Sequence, residues 1–205
     1  LPYLAAHPPF WRLLDRAAGF RHAERDPYPS LTAVQAAASS RGQRLLASVY
    51  EALGEGVFYA LAQVTDTNGE HFMSYRQGHA VNVPGWHERL FFQPGLGEEP
   101  PLFDGHGMRI GLLMGGDLWV PEAARLLRLA GAEAIIALTA SPESRSDEVR
   151  ALARVRAIEN GIPIVLSDRG AAAETYGPGA RMLDGAPEDD WAVITLESEE
   201  IRQGL

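Results

Sequence analysis

The chain has 205 residues, 46% of them hydrophobic and 22% charged, with no cysteine and a formal net charge of −9. This length fits one domain over residues 1–205, which buries enough surface to fold without the support of disulfide bonds or a structural metal. The lack of cysteine excludes disulfides, thiolate metal sites and a cysteine nucleophile within these residues. The acidic balance argues against nucleic acid or an anionic membrane as partner, because neutralising phosphates requires clustered basic side chains.

No segment of the sequence predicts a membrane span or a signal peptide. The longest apolar stretches, Arg109–Met114 and Ala132–Leu138, are far shorter than the roughly 20 residues that a span requires. The start of the chain, Leu1–Phe10, has no basic region followed by a long apolar run. We therefore expect a soluble, cytoplasmic α/β protein.

The first fifty residues predict helices separated by a loop. Phe10–Ala18 is a short helical patch, and the prolines within Asp26–Ser30 indicate a loop. Apolar residues at helical spacing then predict a helix over Leu31–Leu53, which Ser39–Gly42 can interrupt and Gly54 ends.

A β-hairpin follows. Val57–Thr65 is rich in residues that favour strands, Asp66–Gly69 fits a tight turn, and His71–Tyr75 is the returning strand. This hairpin predicts that the sheet is mixed rather than purely parallel.

From residue 109 onward the chain alternates between predicted strands and helices. Arg109–Met114 and Ala134–Leu138 are apolar runs typical of buried strands. Pro121 suits the first turn of a helix that runs to Leu129, and an apolar stripe predicts another helix over Ser144–Asn160. Two further strands are predicted over Pro163–Leu166 and Trp191–Leu196. The alternation predicts an α/β fold in which helices cover a buried sheet.

The turn after Arg109–Met114 is a candidate ligand site. A turn from strand to helix collects free backbone N–H groups, which favour anions, and the glycines let a ligand approach the backbone. The alternative is that the glycines merely make a tight turn. The predicted ligand-binding residues are those of the turn and two hydroxyl residues at the end of the next strand: Gly115, Gly116, Asp117, Thr139 and Ser141.

The segment Gly107–Arg125, with Gly131-Ala132 after it, resembles the nucleophile segment of the nitrilase (carbon–nitrogen hydrolase) superfamily. That segment reads G-R-I-G, two hydrophobic residues, I-C-Y-D-x-x-F-P-E-x-x-R. Other segments that resemble family motifs are Tyr75–His79 (Y-R-K-x-H), Glu88 with Pro94-Gly95, Arg154–Pro163, Ser167–Gly170 and Gly177–Arg181. The resemblance covers roughly residues 40–205, whereas residues 1–30 are irregular and match weakly.

The resemblance implies a nitrilase-like α-β-β-α sandwich with mixed sheets, whose opening β-α-β unit is reduced or missing here. A missing unit would leave a sheet edge or a core face uncovered. Residues 1–30 or a partner must then cover it. We expect the segment Phe10–Phe20 to pack there, with Phe10, Trp11, Leu13 and Leu14 as its apolar contacts.

The resemblance also implies a catalytic set of one Cys, one Lys and two Glu that acts on amides and nitriles. The Cys position is Gly115 here, the Lys position is Gln77, and the second Glu is matched by Glu88. The first Glu belongs to an F-P-E motif that has no counterpart, and Glu24 is the nearest candidate in chain order. Asp117 is expected to cap the helix that starts near Pro121 rather than to act in catalysis.

These changes predict a catalytically silent protein that acts as a binding, scaffolding or regulatory subunit without a cofactor. The alternative is an active amidase- or nitrilase-type hydrolase whose missing groups come from an unseen segment or a partner. Glu88 could contact a ligand or serve as a buried hydrogen-bonding group. The expected ligand is a small amide, carboxylate or acyl compound.

Helices matching Pro121–Ala130 and Ser144–Asn160 pair subunits in the family, which implies a homodimer or pairing with another nitrilase-like chain. The histidines do not predict a metal site, because no compact ligand spacing accompanies them. Those weighed for a metal site are His71, His79, His87 and His106.

Overall fold

The computed structural model describes residues 1–97, 99–171, 173–178, 180–184 and 193–203. The chain divides into two compact units, Leu1–Gly97 and Glu98–Leu205. That one domain spans the whole chain stays a prediction. Nowhere in the described part does a helix combine the length and apolar character needed to cross a membrane.

The first unit begins with short helical pieces. A 3-10 turn over Phe10–Arg12 is followed by helix α1 (Arg16–Phe20) and helix α2 (Pro29–Ser39). Asp15 starts α1 by accepting a hydrogen bond from the backbone N–H of Ala18 at 2.9 Å. The predicted helix over Phe10–Ala18 is therefore two pieces, and α2 begins at a proline, which suits a first helical turn.

An antiparallel sheet follows, with strands β1 (Leu45–Gly54), β2 (Val57–Thr65) and β3 (His71–Arg76) in the order β1-β2-β3. The predicted hairpin is thus present, but the predicted helix over Leu31–Leu53 is wrong beyond Ser39. Most of β1 is buried at successive residues, on both faces. Such a strand lacks a clear period of two, and its apolar residues can mimic helical spacing.

The irregular start of the chain covers the edge of β1 that does not face β2. The backbone N–H of Glu24 donates to Tyr50 O at 2.8 Å, and Glu24 O accepts from Ala52 N at 2.7 Å. The Nε2 atom of His7 accepts from Tyr50 N at 3.2 Å. An isolated parallel bridge joins Glu24 and Glu51. The expectation that residues 1–30 cover a sheet edge is confirmed.

Of the four apolar residues expected to pack there, two are buried, and the ring of Phe10 lies 4.7 Å from that of Tyr50 on β1. Phe10 and Trp11 are 3% and 0% exposed, whereas Leu13 and Leu14 are 58% and 71% exposed. The backbone is extended at Leu13, between the 3-10 turn and α1. This interruption ends the helical face on which all four were expected to lie, so the expectation was wrong for the leucines.

The first unit ends with a small hairpin of β4 (Asn82–Val83) and β5 (Trp86–His87). A 3-10 turn over Glu88–Leu90 comes directly after β5.

The second unit contains a five-stranded mixed sheet in the order β10-β9-β8-β7-β6. The central strands β7 (Arg109–Met114), β8 (Ala134–Thr139) and β9 (Ile164–Asp168) are parallel. The edge strands β6 (Leu102–Asp104) and β10 (Glu174–Tyr176) are antiparallel to their neighbours. The prediction of a mixed sheet is confirmed, although its antiparallel members are β6 and β10 rather than the β2–β3 hairpin.

Helices connect the parallel strands, as predicted. Helix α3 (Pro121–Leu129) joins β7 to β8, and α4 (Ser146–Asn160), preceded by a 3-10 turn, joins β8 to β9. The remaining elements are β11 (Ala180–Asp184), its antiparallel partner β12 (Val193–Leu196) and helix α5 (Ser198–Gln203). The first residues of the predicted strand Trp191–Leu196, and Gly179 of the motif Gly177–Arg181, lie outside the described residues.

Candidate functional site

The candidate residues of the first unit centre on Gln77 and Glu88. Gln77 directly follows β3, and Glu88 opens the turn after β5. Both are buried, with exposed fractions of 1% and 0%. The Nε2 atom of Gln77 donates to Glu88 Oε2 at 2.7 Å. The structure therefore pairs the two residues that the sequence resemblance assigns to the family's Lys and second Glu positions.

The side-chain amide of Gln77 has used both of its hydrogens. Besides the bond to Glu88, Nε2 donates to the backbone oxygen of His79 at 2.7 Å. An amide nitrogen carries two hydrogens, so no N–H of this group remains for another acceptor. Its oxygen accepts a short hydrogen bond from the hydroxyl of Tyr3. Gln77 is therefore held as a buried hydrogen-bonding group.

Glu88 ties the β4–β5 hairpin to Gln77. Its Oε2 atom also accepts from Val81 N at 2.9 Å, and its Oε1 atom accepts from Trp86 Nε1 at 3.0 Å. A buried carboxylate is stabilised when donors surround it in this way. Of the two roles that the sequence left open, buried hydrogen bonding is present, and ligand contact stays a prediction.

Glu24 lies beside β1, where its backbone replaces part of a neighbouring strand. Its Oε2 atom accepts from Ser30 N, in the first turn of α2, at 2.9 Å. Its Oε1 atom is 3.6 Å from His7 Nε2. A helix N-terminus favours a carboxylate. The polar sequence around Glu24 does not predict a strand, so only its order along the chain pointed to it.

Sequence reasoning missed a second buried carboxylate in this unit, Glu51 on β1, which is 2% exposed. Arg76 donates to it through two nitrogens at 2.5 and 2.9 Å, and the Tyr28 hydroxyl donates at 2.7 Å. Burial by itself would raise the pKa of Glu51, but the hydrogen bonds from Arg76 and Tyr28 and the charge of Arg76 hold that pKa below its usual value. The partners are distant in sequence, so no local motif could have indicated the cluster.

In the second unit, the turn after β7 holds three of the candidate residues. Gly115, Gly116 and Asp117 are buried and open a 3-10 turn that runs to Trp119. Gly115 has a φ of +46°, a left-handed conformation that favours glycine. Asp117 Oδ2 accepts from Met114 N at 3.0 Å. Asp117 therefore caps this 3-10 turn. The residue that precedes α3, Val120, makes no side-chain cap. The expectation that Asp117 caps α3 was therefore wrong, because it caps the turn before that helix.

Arg156 on α4 holds the same turn from its other end, a role that the sequence did not suggest. Its guanidinium donates to the backbone oxygens of Leu118 at 3.2 Å and Trp119 at 3.3 Å. It also donates to Glu159 at 3.2 Å and is 4% exposed. The turn is thus fixed by buried side chains at both ends.

Thr139 and Ser141 surround a carboxylate that sequence reasoning did not single out, Asp168 at the end of β9. The donors to Asp168 Oδ1 are Thr139 Oγ1 at 2.9 Å, Ser141 N at 2.8 Å and Arg169 N at 3.0 Å. The Ser141 hydroxyl makes a short bond to Oδ2. Because β7, β8 and β9 are parallel, their carboxyl ends bring Gly115, Thr139 and Asp168 to one edge of the sheet.

The side chains of these candidate sites do not form a metal-ligand cluster. Among the residues that the structure describes, no group of three or more His, Cys, Asp or Glu side chains is placed to hold a metal ion.

The chain matches known proteins over most of its length. A family model described as carbon–nitrogen hydrolase matches residues 4–196. The chain is 29% identical over 150 residues to an N-carbamoylputrescine amidase of Arabidopsis thaliana, covering 69% of this chain and 49% of that protein. The chain thus spans about half the length of the curated relatives it matches.

Solved structures share the fold. A carbon–nitrogen hydrolase from Helicobacter pylori matches with a TM-score of 0.78 and 23% identity, covering 100% of this chain and 78% of that one. A mutant amidase from Nesterenkonia sp. AN1, with an acetamide moiety covalently added at its active-site cysteine, matches with a TM-score of 0.69 and 19% identity over 98% of this chain and 78% of that one. The predicted nitrilase-like α/β fold is confirmed.

Proposed function

The chain belongs to the carbon–nitrogen hydrolase family, and from that premise we propose that these 205 residues form a catalytically silent subunit that binds or regulates. One observation carries the proposal. The residues include no cysteine, and all 18 basic residues are arginines, so neither the family's nucleophile nor its lysine has a counterpart at any position. Covalent acyl transfer requires a nucleophile that an adjacent group activates.

The residues in the two vacated positions support this reading. Gly115 has no side chain, and Gln77 is neutral, with both amide hydrogens already donated. Loss of a single oxyanion-stabilising donor lowers kcat by about 10²–10³. Loss of the nucleophile adds a still larger effect. We therefore expect no measurable hydrolysis by the family's mechanism.

Hydrolysis of a panel of amides, nitriles and N-carbamoyl compounds by the purified chain tests the proposal. We expect no turnover above the uncatalysed rate, either for the chain as it stands or for Glu88→Gln. A homologous amidase that keeps its cysteine serves as the positive control. Turnover that Glu88→Gln abolishes would contradict the proposal, since it would reveal a different nucleophile or an activated water.

The ligand we propose is a small amide, carboxylate or acyl compound bound near Gly115 and Gly116. The left-handed backbone of Gly115 and the lack of a side chain at both positions support it, because they allow close approach to backbone N–H groups. Isothermal titration with acetamide, butyramide and their carboxylates measures this binding. Heats no larger than those of dilution into buffer would count against it.

We further propose that two copies pair through α3 and α4. These contacting helices leave four large apolar side chains exposed, namely Leu126 (56%), Leu129 (75%), Val155 (47%) and Ile158 (73%). Exposed apolar surface of this kind is characteristic of interfaces. Light scattering should give a dimer that Leu129→Asp with Ile158→Asp converts to a monomer. Leu96→Asp, at a residue that is 96% exposed outside these helices, is the control and should leave the dimer intact.

A second candidate is an active hydrolase whose missing groups lie outside these residues. The observation that favours it is length, because the chain spans about half of its curated relatives. Turnover that appears only when additional sequence or a second chain is supplied would favour this candidate over a silent subunit.

A further inference from the structure

We propose that a surface cleft in the first unit, separate from Gln77 and Glu88, binds a small aromatic carboxylate. The cleft has a volume of about 80 Å³. The cleft is lined by residues of α1, the β1–β2 turn, the start of β2 and the segment after β5, among them Arg16, Phe20, Gly56, Phe58, Arg89 and Gln93. None of them belongs to the hydrogen-bonded groups around Gln77 or Glu51.

The charge of the cleft is opposite to that of the chain. The chain carries a net charge of −9, yet within the described residues two arginines and no Asp or Glu line the cleft. Neither Arg16 nor Arg89 forms an ion pair with any described residue, unlike Arg76, which binds Glu51. Two guanidinium groups that line one cleft without an ion-pair partner among the described residues favour an anion.

The guanidinium of Arg89 is already oriented. Its Nε atom donates to the backbone oxygen of Ala80 at 3.0 Å. A guanidinium has five N–H donors in a planar fork, so donors remain for a ligand. Holding one nitrogen in place reduces the entropy that a bound carboxylate would cost.

The rest of the wall is aromatic. Phe20 and Phe58 are stacked, with centroids 4.4 Å apart and planes inclined by 6°, and Arg16 lies over the Phe20 ring at 5.2 Å. Gln93 fixes this wall, because its backbone N–H donates to Phe58 O at 2.8 Å. Because Phe58 and Arg16 cover the two faces of the Phe20 ring, a ligand with a ring and a carboxylate can place its ring against the edges of the phenylalanines and its oxygens beside the arginines.

Titration of the full chain with benzoate at low ionic strength tests this site. We expect saturable binding that Arg16→Gln and Arg89→Gln each weaken about tenfold, the loss typical of one charge-assisted hydrogen bond. Arg41→Gln is the matched control, because Arg41 donates to Ala37 O and does not line the cleft. Both arginines of the cleft are exposed, so the variants should fold, which thermal unfolding checks.

Three comparison ligands separate the contribution of the ring from that of the negative charge. Benzyl alcohol keeps the ring without the charge, whereas acetate and inorganic phosphate keep the charge without the ring. Each of the three should bind more weakly than benzoate. Equal binding of benzyl alcohol or of phosphate would overturn the proposal. So would benzoate binding that both Arg→Gln variants retain, because the ligand would then occupy another site, and so would the absence of benzoate binding.

Discussion

The two larger sheets differ in how their outer parts are hydrogen-bonded. In the second unit, β6 and β10 lie against the parallel strands and extend a regular hydrogen-bonded ladder. In the first unit, the outer edge of β1 is covered at separate points by backbone from Glu24 and by the ring of His7. A ladder distributes the bonding over many backbone groups, whereas the cover of β1 consists of a few separate bonds, one of which is accepted by a side chain. We therefore expect the edge of β1 to be more sensitive to the substitution of a single residue than the edges of the five-stranded sheet.

We expect the largest effect from Asp168, and its substitution tests whether the five-stranded sheet also depends on one side chain. Asp168→Asn should lower the free energy of unfolding by about 2–4 kcal/mol, because a single amide oxygen replaces two carboxylate oxygens among buried donors. Urea denaturation measures it. Asp147→Asn, at a fully exposed position on α4, is the control and should leave the stability nearly unchanged. Similar values for the two variants would contradict the role given to Asp168.

Glu51→Gln tests the ion pair that joins Glu51 on β1 to Arg76 on β3 in the first unit. We expect a loss of about 2–3 kcal/mol at neutral pH, because Arg76 and Tyr28 lose a buried anionic partner. The folded-state pKa of Glu51 is lowered, so its contribution is fully present above the unfolded-state pKa, about 4.3, and is lost as the pH falls through the folded value.

Unfolding curves recorded from pH 7 to pH 3 should therefore converge for the original chain and Glu51→Gln at the acidic end. Glu148→Gln is the control, since it removes a surface ion pair with Arg145 worth at most about 1 kcal/mol. A difference between the original chain and Glu51→Gln that persists unchanged to pH 3 would argue against the charge as its source.

His7→Phe removes a single contact from the cover of β1. The backbone N–H of Tyr50 then loses its acceptor, which should cost about 1–2 kcal/mol and speed hydrogen exchange at that amide. His22→Phe is the matched control, because His22 stacks on Phe10 at 5.7 Å and a phenyl ring can do the same. Unchanged exchange at Tyr50 would mean that the edge does not need the ring of His7.

The last effect, similar in size to that of His7→Phe, concerns the turn at the end of β7. Gly115→Ala should cost about 1–2 kcal/mol, the strain of an L-residue in a left-handed conformation. Gly54→Ala is the control, since Gly54 lacks a positive φ and has open space around it. Equal stabilities would show that the turn relaxes to accept a side chain.

The contrast between the regular sheet of the second unit and the irregular first unit also explains which elements the sequence could predict. β7, β8 and α3 were predicted almost to the residue, because buried parallel strands are continuous apolar runs and Pro121 marks a helix start. β1 was taken for a helix, and β6 and β10 were missed because strands of three residues leave little pattern.

For the candidate sites, the motif order correctly placed Gly115 after a buried strand and Gln77 after β3. It could not reveal the bonds of those residues. Tyr3 and Gln77 are 74 positions apart, and Thr139 and Asp168 are 29 apart. Such pairs arise only when the chain folds, so composition and spacing do not show which donors a buried group has used.

The bond between Tyr3 and Gln77 limits which side chains position 77 accepts without rearrangement. A lysine side chain has three donors and no acceptor, so Gln77→Lys would reverse this bond, with the ammonium donating to the oxygen of the Tyr3 hydroxyl. That hydroxyl would then have to turn its own hydrogen to another acceptor. A cation at position 77 therefore depends on a residue 74 positions earlier in the chain.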